Sequence, residues 1–302
     1  MLETDKRILT IFTPTFNRAP FLRRIYESLV NQTNPNFEWM VIDDGSTDYT
    51  KQLIDSFIKE NKIVIRYIYK ENGGLHTGYN TAYANIETDL CVCVDSDDWM
   101  PDNAVELILK KWGNEGSDKY CGIVGLDFDA ETNEPIAGYF PAGLKECYYL
   151  DLYIKNIHKG DSKYVMRTHL MKKVAPQISF PGEKFFNPTY MFLQVGDEYP
   201  LLVLNENLCY IDRCGQNRMS TNIYFQYCQS PRSFAKLREL EMDLKRNNLK
   251  NKFRSGVHYI SSCLLSHQYS KLICRSHRLI TFMALLPGMT WFLFVRLKSD
   301  YK

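Results

Sequence analysis

The 302 residues contain no Cys-x-x-Cys pair, although there are nine cysteines: Cys91, Cys93, Cys121, Cys147, Cys209, Cys214, Cys228, Cys263 and Cys274. A zinc ribbon needs two close ligand pairs, so that class is excluded. The odd number and scattered spacing suit unpaired thiols in a reducing compartment. Cys91 and Cys93, two apart in an apolar run, read as small buried hydrophobes on one side of a strand. No long apolar h-region follows the charged start Met1 to Arg7, since Ile8–Phe12 is too short. The body is therefore expected to stay on the cytoplasmic side, where it is made. There is no internal repeat and no low-complexity segment. With 45% hydrophobic and 24% charged residues the chain is neither disordered nor collagen-like. A polytopic membrane protein is also excluded, because only one long apolar stretch occurs, Leu279–Leu297.

Acidic residues are scarce in one region only. Residues 231–302 hold 4 Asp/Glu against 14 Lys/Arg, a net of +10, whereas residues 1–230 hold 31 against 23, a net of −8. The near-neutral total of +2 hides this split. Such asymmetry predicts that the tail meets a different partner from the body. Nucleic acid is disfavoured, because no recognition motif accompanies the charge.

The first half alternates strand-like and helix-like segments. Ile8–Thr13, Phe37–Ile42, Ile63–Tyr69, Leu90–Val94 and Cys121–Phe128 read as buried strands. Helical spacing falls between them, in Phe21–Val30, around Leu53 to Ile58, through about Ile86, and in Pro101–Trp112. The pattern predicts an α/β fold, a mostly parallel sheet with helices on both faces. Ligands of such sheets bind beyond the carboxyl ends of the strands. The polar clusters Pro14–Arg18, Asp43–Asp48, Asn72–Asn80 and Asp95–Asp98 all follow strands, so they should converge on one edge.

The sharpest of these is Val94-Asp95-Ser96-Asp97-Asp98-Trp99. Three carboxylates within four positions repel one another, and a hard divalent cation offsets that repulsion. Mg²⁺ or Mn²⁺ takes one or two carboxylates plus phosphate oxygens. A solvated acidic turn is the alternative. In Phe37–Asp48 a strand ends on two Asp, then Gly and Ser, which could aim a carboxylate at a nucleobase or ribose or form an ordinary β–α turn. Thr13-Pro14-Thr15-Phe16-Asn17-Arg18 could cover a base.

In this order and spacing the three segments resemble the N-terminal half of family 2 glycosyltransferases, which have the GT-A fold. The likeness covers residues 8–130 strongly and 130–215 loosely. It implies a GT-A domain over 1–230, with 1–130 the nucleotide-sugar half and 131–230 the acceptor half, followed by a basic helical extension over 231–302. It implies that Pro14, Thr15 and Phe16 line the base pocket and that Asp44 meets a base edge. Asp95 and Asp97 match the D-x-D pair: Asp95 faces ribose and sugar, Asp97 ligates Mn²⁺ or Mg²⁺, and Asp98 is a third acid. Asn72, Gly73, Gly74, His76 and Asn80 match the Gly-rich stretch before a helix, where backbone can approach a diphosphate. His76 is either a donor to the ligand or an ordinary loop histidine. Glu183, in Phe180-Pro181-Gly182-Glu183, is the candidate base at the start of an apolar helix, with Asp197 and Glu198 the rival pair.

The implied reaction is inverting transfer of one sugar from a nucleoside diphosphate sugar, a UDP-sugar by the match of Asp44. The acceptor hydroxyl would belong to a lipid-linked saccharide of a bacterial surface polysaccharide. The Gln-x-x-Arg-Trp motif of processive synthases is missing, and Gln216-Asn217-Arg218-Met219 does not replace it. Two other classes stay open at this point. One is a non-catalytic sugar-nucleotide-binding or scaffold protein with a degenerate transferase domain. The other is a nucleotidyltransferase that makes the sugar nucleotide. In the tail, Pro287-Gly288 divides the apolar stretch, which predicts two short helices either lying in a membrane surface, with Trp291 at the interface, or packed on the catalytic domain.

Overall fold

The computed structural model describes residues 7–158, 160–212 and 223–300. Cys214 and the segment Gln216-Asn217-Arg218-Met219 lie outside the described residues. The strands are β1 (Leu9–Thr15), β2 (Phe37–Asp43), β3 (Ile65–Tyr69), β4 (Leu90–Cys93), β5 (Gly122–Asp129), β6 (Glu146–Cys147), β7 (Ser162–Arg167) and β8 (Leu201–Ile211). They form one sheet in the order β3-β2-β1-β4-β7-β5-β8-β6. The first four are parallel neighbours. β7 runs antiparallel between β4 and β5, and β8 returns parallel to β5. The fold is thus the α/β GT-A architecture that the alternation and the motifs imply, with a C-terminal helical region.

Alternation along the strands explains the two-sided core. Leu9, Ile11, Trp39, Val41, Leu90 and Val92 point to one face, where they meet Leu22, Ile25 and Leu29 of α1 (Ala19–Val30), Phe57 of α2 (Thr50–Glu60) and Ile108 of α4 (Ala104–Glu115). Tyr26 of α1 stacks on Phe57 at 3.9 Å. Phe12, Met40, Ile42 and Cys91 point to the other face, against Tyr79 and Tyr83 of α3 (Leu75–Asn85) and the short helices α5 (Tyr149–Ile154), α6 (Thr168–Val174) and α7 (Thr189–Glu198). Cys93 packs against that same cluster, on the side expected from its spacing to Cys91.

Four longer or tail helices complete the chain: α8 (Ile223–Gln229), α9 (Pro231–Asp243), α10 (Leu249–Leu265) and α12 (Leu285–Asp300), with the one-and-a-half-turn α11 (Arg278–Met283) before the last. Two observations correct the expected tail. The break in the apolar stretch falls at Ala284 and not at Pro287-Gly288, and the chain bends there by 90°. Pro287 fits the first turn of α12, where a missing N–H costs little. Gly288 instead serves close packing, since a Cβ there would lie 2.5 Å from Ile260 Cβ of α10. Trp291 turns inward, its ring 5.0 Å from that of His258 on α10.

The boundary expected at residue 230 is crossed by many contacts. Phe185 packs on Phe234 at 6.0 Å, and Asp197 at the end of α7 accepts hydrogen bonds from the Lys245 and Arg246 amides at 3.0 and 3.1 Å.

Candidate active site

Parallel pairing of β3, β2, β1 and β4 puts their carboxyl ends on one edge, so the loops after them meet as the sequence predicts. Pro14 and Thr15 close β1, with Thr15 buried and Phe16 exposed beyond them. The loop after β1 is laced to the loop after β2. Asn17, held at φ 52°, accepts the Thr47 amide at 2.8 Å, while Ser46 Oγ accepts the Asn17 amide at 2.9 Å. Asp48 accepts from Ala19 N at 3.2 Å and from Thr50 N at 3.0 Å, so one carboxylate serves the first N–H groups of both α1 and α2.

Asp44 is the organiser of the Gly-rich loop. Its Oδ1 accepts from Lys70 Nζ and from Gly73 N at 2.9 Å, and its Oδ2 from Gly74 N at 2.8 Å and Asn72 Nδ2 at 3.2 Å. A carboxylate offers about four acceptor directions. All are engaged, so a base edge could reach Asp44 only by sharing an oxygen. Gly74, at φ 92°, is required for a second reason. A Cβ there would lie 1.8 Å from Lys184 O, so the Gly-rich loop is clamped against the segment that carries Glu183. Lys184 Nζ donates to Asn72 Oδ1 at 2.5 Å across the same contact.

Three expected site residues have different jobs. His76 is 1% exposed and its Nε2 lies 3.0 Å from Ser179 Oγ. Burial lowers its basicity, and the Asp44 charge opposes that only in part. It braces α3 and does not face an open cleft. Asn80 donates to Gln177 O at 2.8 Å and accepts from Gln177 N at 2.7 Å, so both ends of its amide are occupied by one backbone unit. Glu183 lies in a turn, not at a helix start, since α7 begins only at Thr189. Its Oε1 accepts from Arg232 N at 2.9 Å and Arg232 Nε at 3.0 Å. Its Oε2 accepts from Ser233 N at 2.8 Å and Ser233 Oγ at 2.6 Å. Both oxygens thus cap the N-terminus of α9, where backbone N–H groups and the helix dipole favour a carboxylate. No lone pair remains for an acceptor proton. The rival pair fails on topology. Asp197 and Glu198 end α7 just before Leu201, at the amino end of β8, the edge opposite the site.

The acidic loop is held firmly from outside. Trp99 and Tyr210 exchange backbone hydrogen bonds of 3.2 and 2.7 Å. Arg24 lies 4.0 Å over the Trp99 ring and donates to Asp97 O at 2.6 Å and to Asp212 Oδ2 at 2.9 Å. Asp97 is partly exposed and bridged by Arg18 at 3.2 Å. Asp95 is open to the cleft, with Cys93 Sγ 3.8 Å from its Oδ1. Crowding by protein raises the Asp95 carboxyl, Asp97 adds to the rise, and Lys163 opposes it. Asp98 is buried and pushed up to about 8 by loss of solvation, against the pull of Lys163 and with Asp95 and Asp97 adding to the shift. Buried and disfavoured as an anion, Asp98 is the least accessible of the three to a cation in the cleft.

Lys163 was not legible as a site residue. It sits on β7, buried behind the acidic loop, 3.6 Å from Asp127 of β5. Burial alone would lower its ammonium, yet Asp127, Cys209, Asp98 and Asp95 hold it well above its usual range. Burial likewise pushes Asp127 up to about 6. A permanent cation beneath the loop lets three acids stand together before any metal arrives. The antiparallel course of β7 also brings its amino end to the site edge. Val165 pairs with Val92 of β4 and Ser162 with Leu126 of β5, which sets Asp161 just beyond β7 between two carboxyl ends. Asp161 is exposed, and its charge raises both Asp95 and Asp127.

Among the described residues no group of three His, Cys, Asp or Glu side chains converges with metal-holding geometry. Asp95 and Asp97 fit a different kind of site. Mg²⁺ and Mn²⁺ need only one or two open carboxylates when a nucleotide diphosphate supplies the other oxygens. These two are the acids of the loop with access to the cleft.

The comparisons agree with this geometry. GlyA, a glycosyltransferase of Streptococcus pneumoniae, is 36% identical over 111 residues, 37% of this chain and 16% of GlyA. The chain spans well under two thirds of the length of the curated relatives it matches first. Among solved structures, residues 1–349 of TarS from S. aureus in complex with UDP-GlcNAc superpose with a TM-score of 0.63 at 16% identity, over 97% of this chain and 88% of that one. The mannosyltransferase PcManGT from Pyrobaculum calidifontis, in complex with GDP-Man and Mn²⁺, gives 0.52 at 13% identity, over 95% and 87%. Both likenesses are of fold. The sheet edge, its laced loops and its acidic turn all lie within residues 10–170, the span matched by the model of glycosyl transferase family 2, and the chain belongs to that family.

Proposed function

We propose that this chain transfers a single sugar from a nucleoside diphosphate sugar to an acceptor hydroxyl, with inversion. The observation that carries the reading is the pair Asp95, exposed, and Asp97, partly exposed beside Arg18, at the carboxyl edge of β4, the same sheet edge as the loop that Asp44 organises. The bound donors in the two neighbouring structures, UDP-GlcNAc and GDP-Man, support a nucleoside diphosphate sugar and leave the base open. Pro14, Thr15 and Phe16 would border the base, and the backbone of Asn72, Gly73 and Gly74 the rest of the donor. The acceptor would be a lipid-linked saccharide of a surface polysaccharide.

In the reaction the acceptor oxygen bonds to the anomeric carbon from the face opposite the diphosphate, and the bond from that carbon to the diphosphate breaks. Asp95 and Asp97 would hold Mn²⁺ or Mg²⁺, which when bound offsets the charge gained by the leaving diphosphate. Lys163, beneath the loop, supplies positive charge beside Asp95 and Asp98, while Arg18 holds the Asp97 carboxylate. With Glu183 committed to α9, Asp161 is, among the described residues, an exposed carboxylate near enough to Asp95 to raise it and not on the acidic loop itself. It takes the acceptor proton.

Two measurements test this. A thermal-shift panel of UDP-, GDP- and dTDP-sugars with Mn²⁺ should give a strong shift for one donor that disappears on chelation. No shift with any donor would sink the reading. Asp161→Asn should lower kcat about 10²–10⁴-fold while leaving the donor KM close to wild type. A kcat within a few-fold of wild type would remove Asp161 from the proton transfer.

A further inference from the structure

Among the described residues no single helix is long and apolar enough to cross a membrane. The bent pair formed by α11 and α12 nevertheless leaves an apolar face uncovered. Leu279, Phe282 and Met283 lie at helical spacing on α11, and Leu286, Met289, Leu293 and Leu297 at helical spacing along α12. Each is at least 50% exposed, and Leu286 reaches 76%. Single exposed apolar residues need no explanation, but seven on two successive helices, four of them in one row along α12, do.

The opposite side of each helix is committed to protein. Thr281, Ala284 and Val295 are fully buried, Gly288 abuts Ile260, and Val295 joins a cluster with Tyr227 and Phe234. Helices fixed in this way present one side only. They can lie on an apolar medium but cannot pass through it without giving up their contacts with α10.

Charge decides between the occupants of such a face. Lys271, Arg275 and Arg278 are exposed before the stripe, and Arg296 and Lys298 at its end. Of the acids on α9 that reach this segment, Asp243 is taken by His277 at 2.7 Å and Glu239 by Lys236 at 2.8 Å. A second copy would present the same cations in a self-complementary interface, where like charges face one another. An anionic bilayer surface matches both features, apolar depth and negative rim. We infer that α11 and α12 dock this chain flat on a membrane surface containing acidic phospholipid, with Leu279, Phe282, Leu286 and Leu293 entering the headgroup boundary.

This inference deepens the lipid-linked acceptor proposed above, and vesicle binding needs no sugar nucleotide, so each can fail alone. The test is flotation of the full chain with vesicles of phosphatidylcholine, with and without phosphatidylglycerol. The chain should float with the mixed vesicles, and more weakly or not at all with the neutral ones. The pair Leu286→Glu and Leu293→Glu should abolish flotation with an unchanged circular dichroism melt, since both side chains point away from the bundle. Arg275→Gln and Arg278→Gln should each weaken binding to the mixed vesicles about fivefold. Three outcomes would overturn the inference. They are no flotation of the wild type on either vesicle, flotation that the leucine variants retain, and a dimer in sedimentation equilibrium that the leucine variants dissolve. The last would assign the face to a second copy.

Discussion

Glu183→Ala should unfold at markedly lower urea than the wild type, with a loss of about 3–5 kcal/mol. The side chain is 5% exposed and receives four hydrogen bonds from Arg232 and Ser233. Its removal leaves the Arg232 guanidinium without its carboxylate and two amides of the first turn of α9 without acceptors. Glu183→Gln should fall between, because an amide oxygen still accepts but the charge at the helix N-terminus is gone. The check is equilibrium unfolding together with donor turnover on the same samples. If Glu183→Ala kept the wild-type midpoint and lost only sugar transfer, the residue would return to the catalytic role that its surroundings in the sequence imply.

Asp97→Ala should show the reverse dissociation. Donor turnover should drop by about 10²–10³-fold or more, the scale on which single stabilisers of developing charge act, and added Mn²⁺ should no longer raise the melting temperature in the presence of nucleotide. Stability without metal should hold, since Asp97 is partly exposed and its loss relieves Asp95 and Asp98 of a like charge. Turnover that stays at the wild-type level and still responds to Mn²⁺ would place the cation elsewhere.

The contrast between these residues shows what a single sequence carries. β1, β2 and β4 were legible because they are short apolar runs flanked by helical spacing, and the loops after them were legible because parallel pairing leaves them one edge to share. β7 was not. Its six residues, SKYVMR, alternate weakly, and what makes them a central strand is pairing with both β4 and β5. Lys163 was hidden with it, since a lone lysine looks like surface until two neighbouring strands enclose it. The length of β8 is likewise set by its neighbour, since the polar Asn205-Glu206-Asn207 stays in the strand and the sheet absorbs it as an irregularity in register between Val124 and Asp127 of β5. Glu183 stands out in the sequence, but its hydrogen bonds do not. Its partners lie 49 and 50 positions downstream, and no local spacing points to them.

The cap that Glu183 places on α9 also bears on how such enzymes diversify. Gly74 of the Gly-rich loop presses on Lys184, Glu183 beside it holds α9, and α9 packs on α10, against which α11 and α12 rest. Gly-rich loop and tail are joined by a short train of packed contacts. The tail is therefore not independent of the site: a change in α11 or α12 that displaces α9 also removes the backstop of the Gly-rich loop.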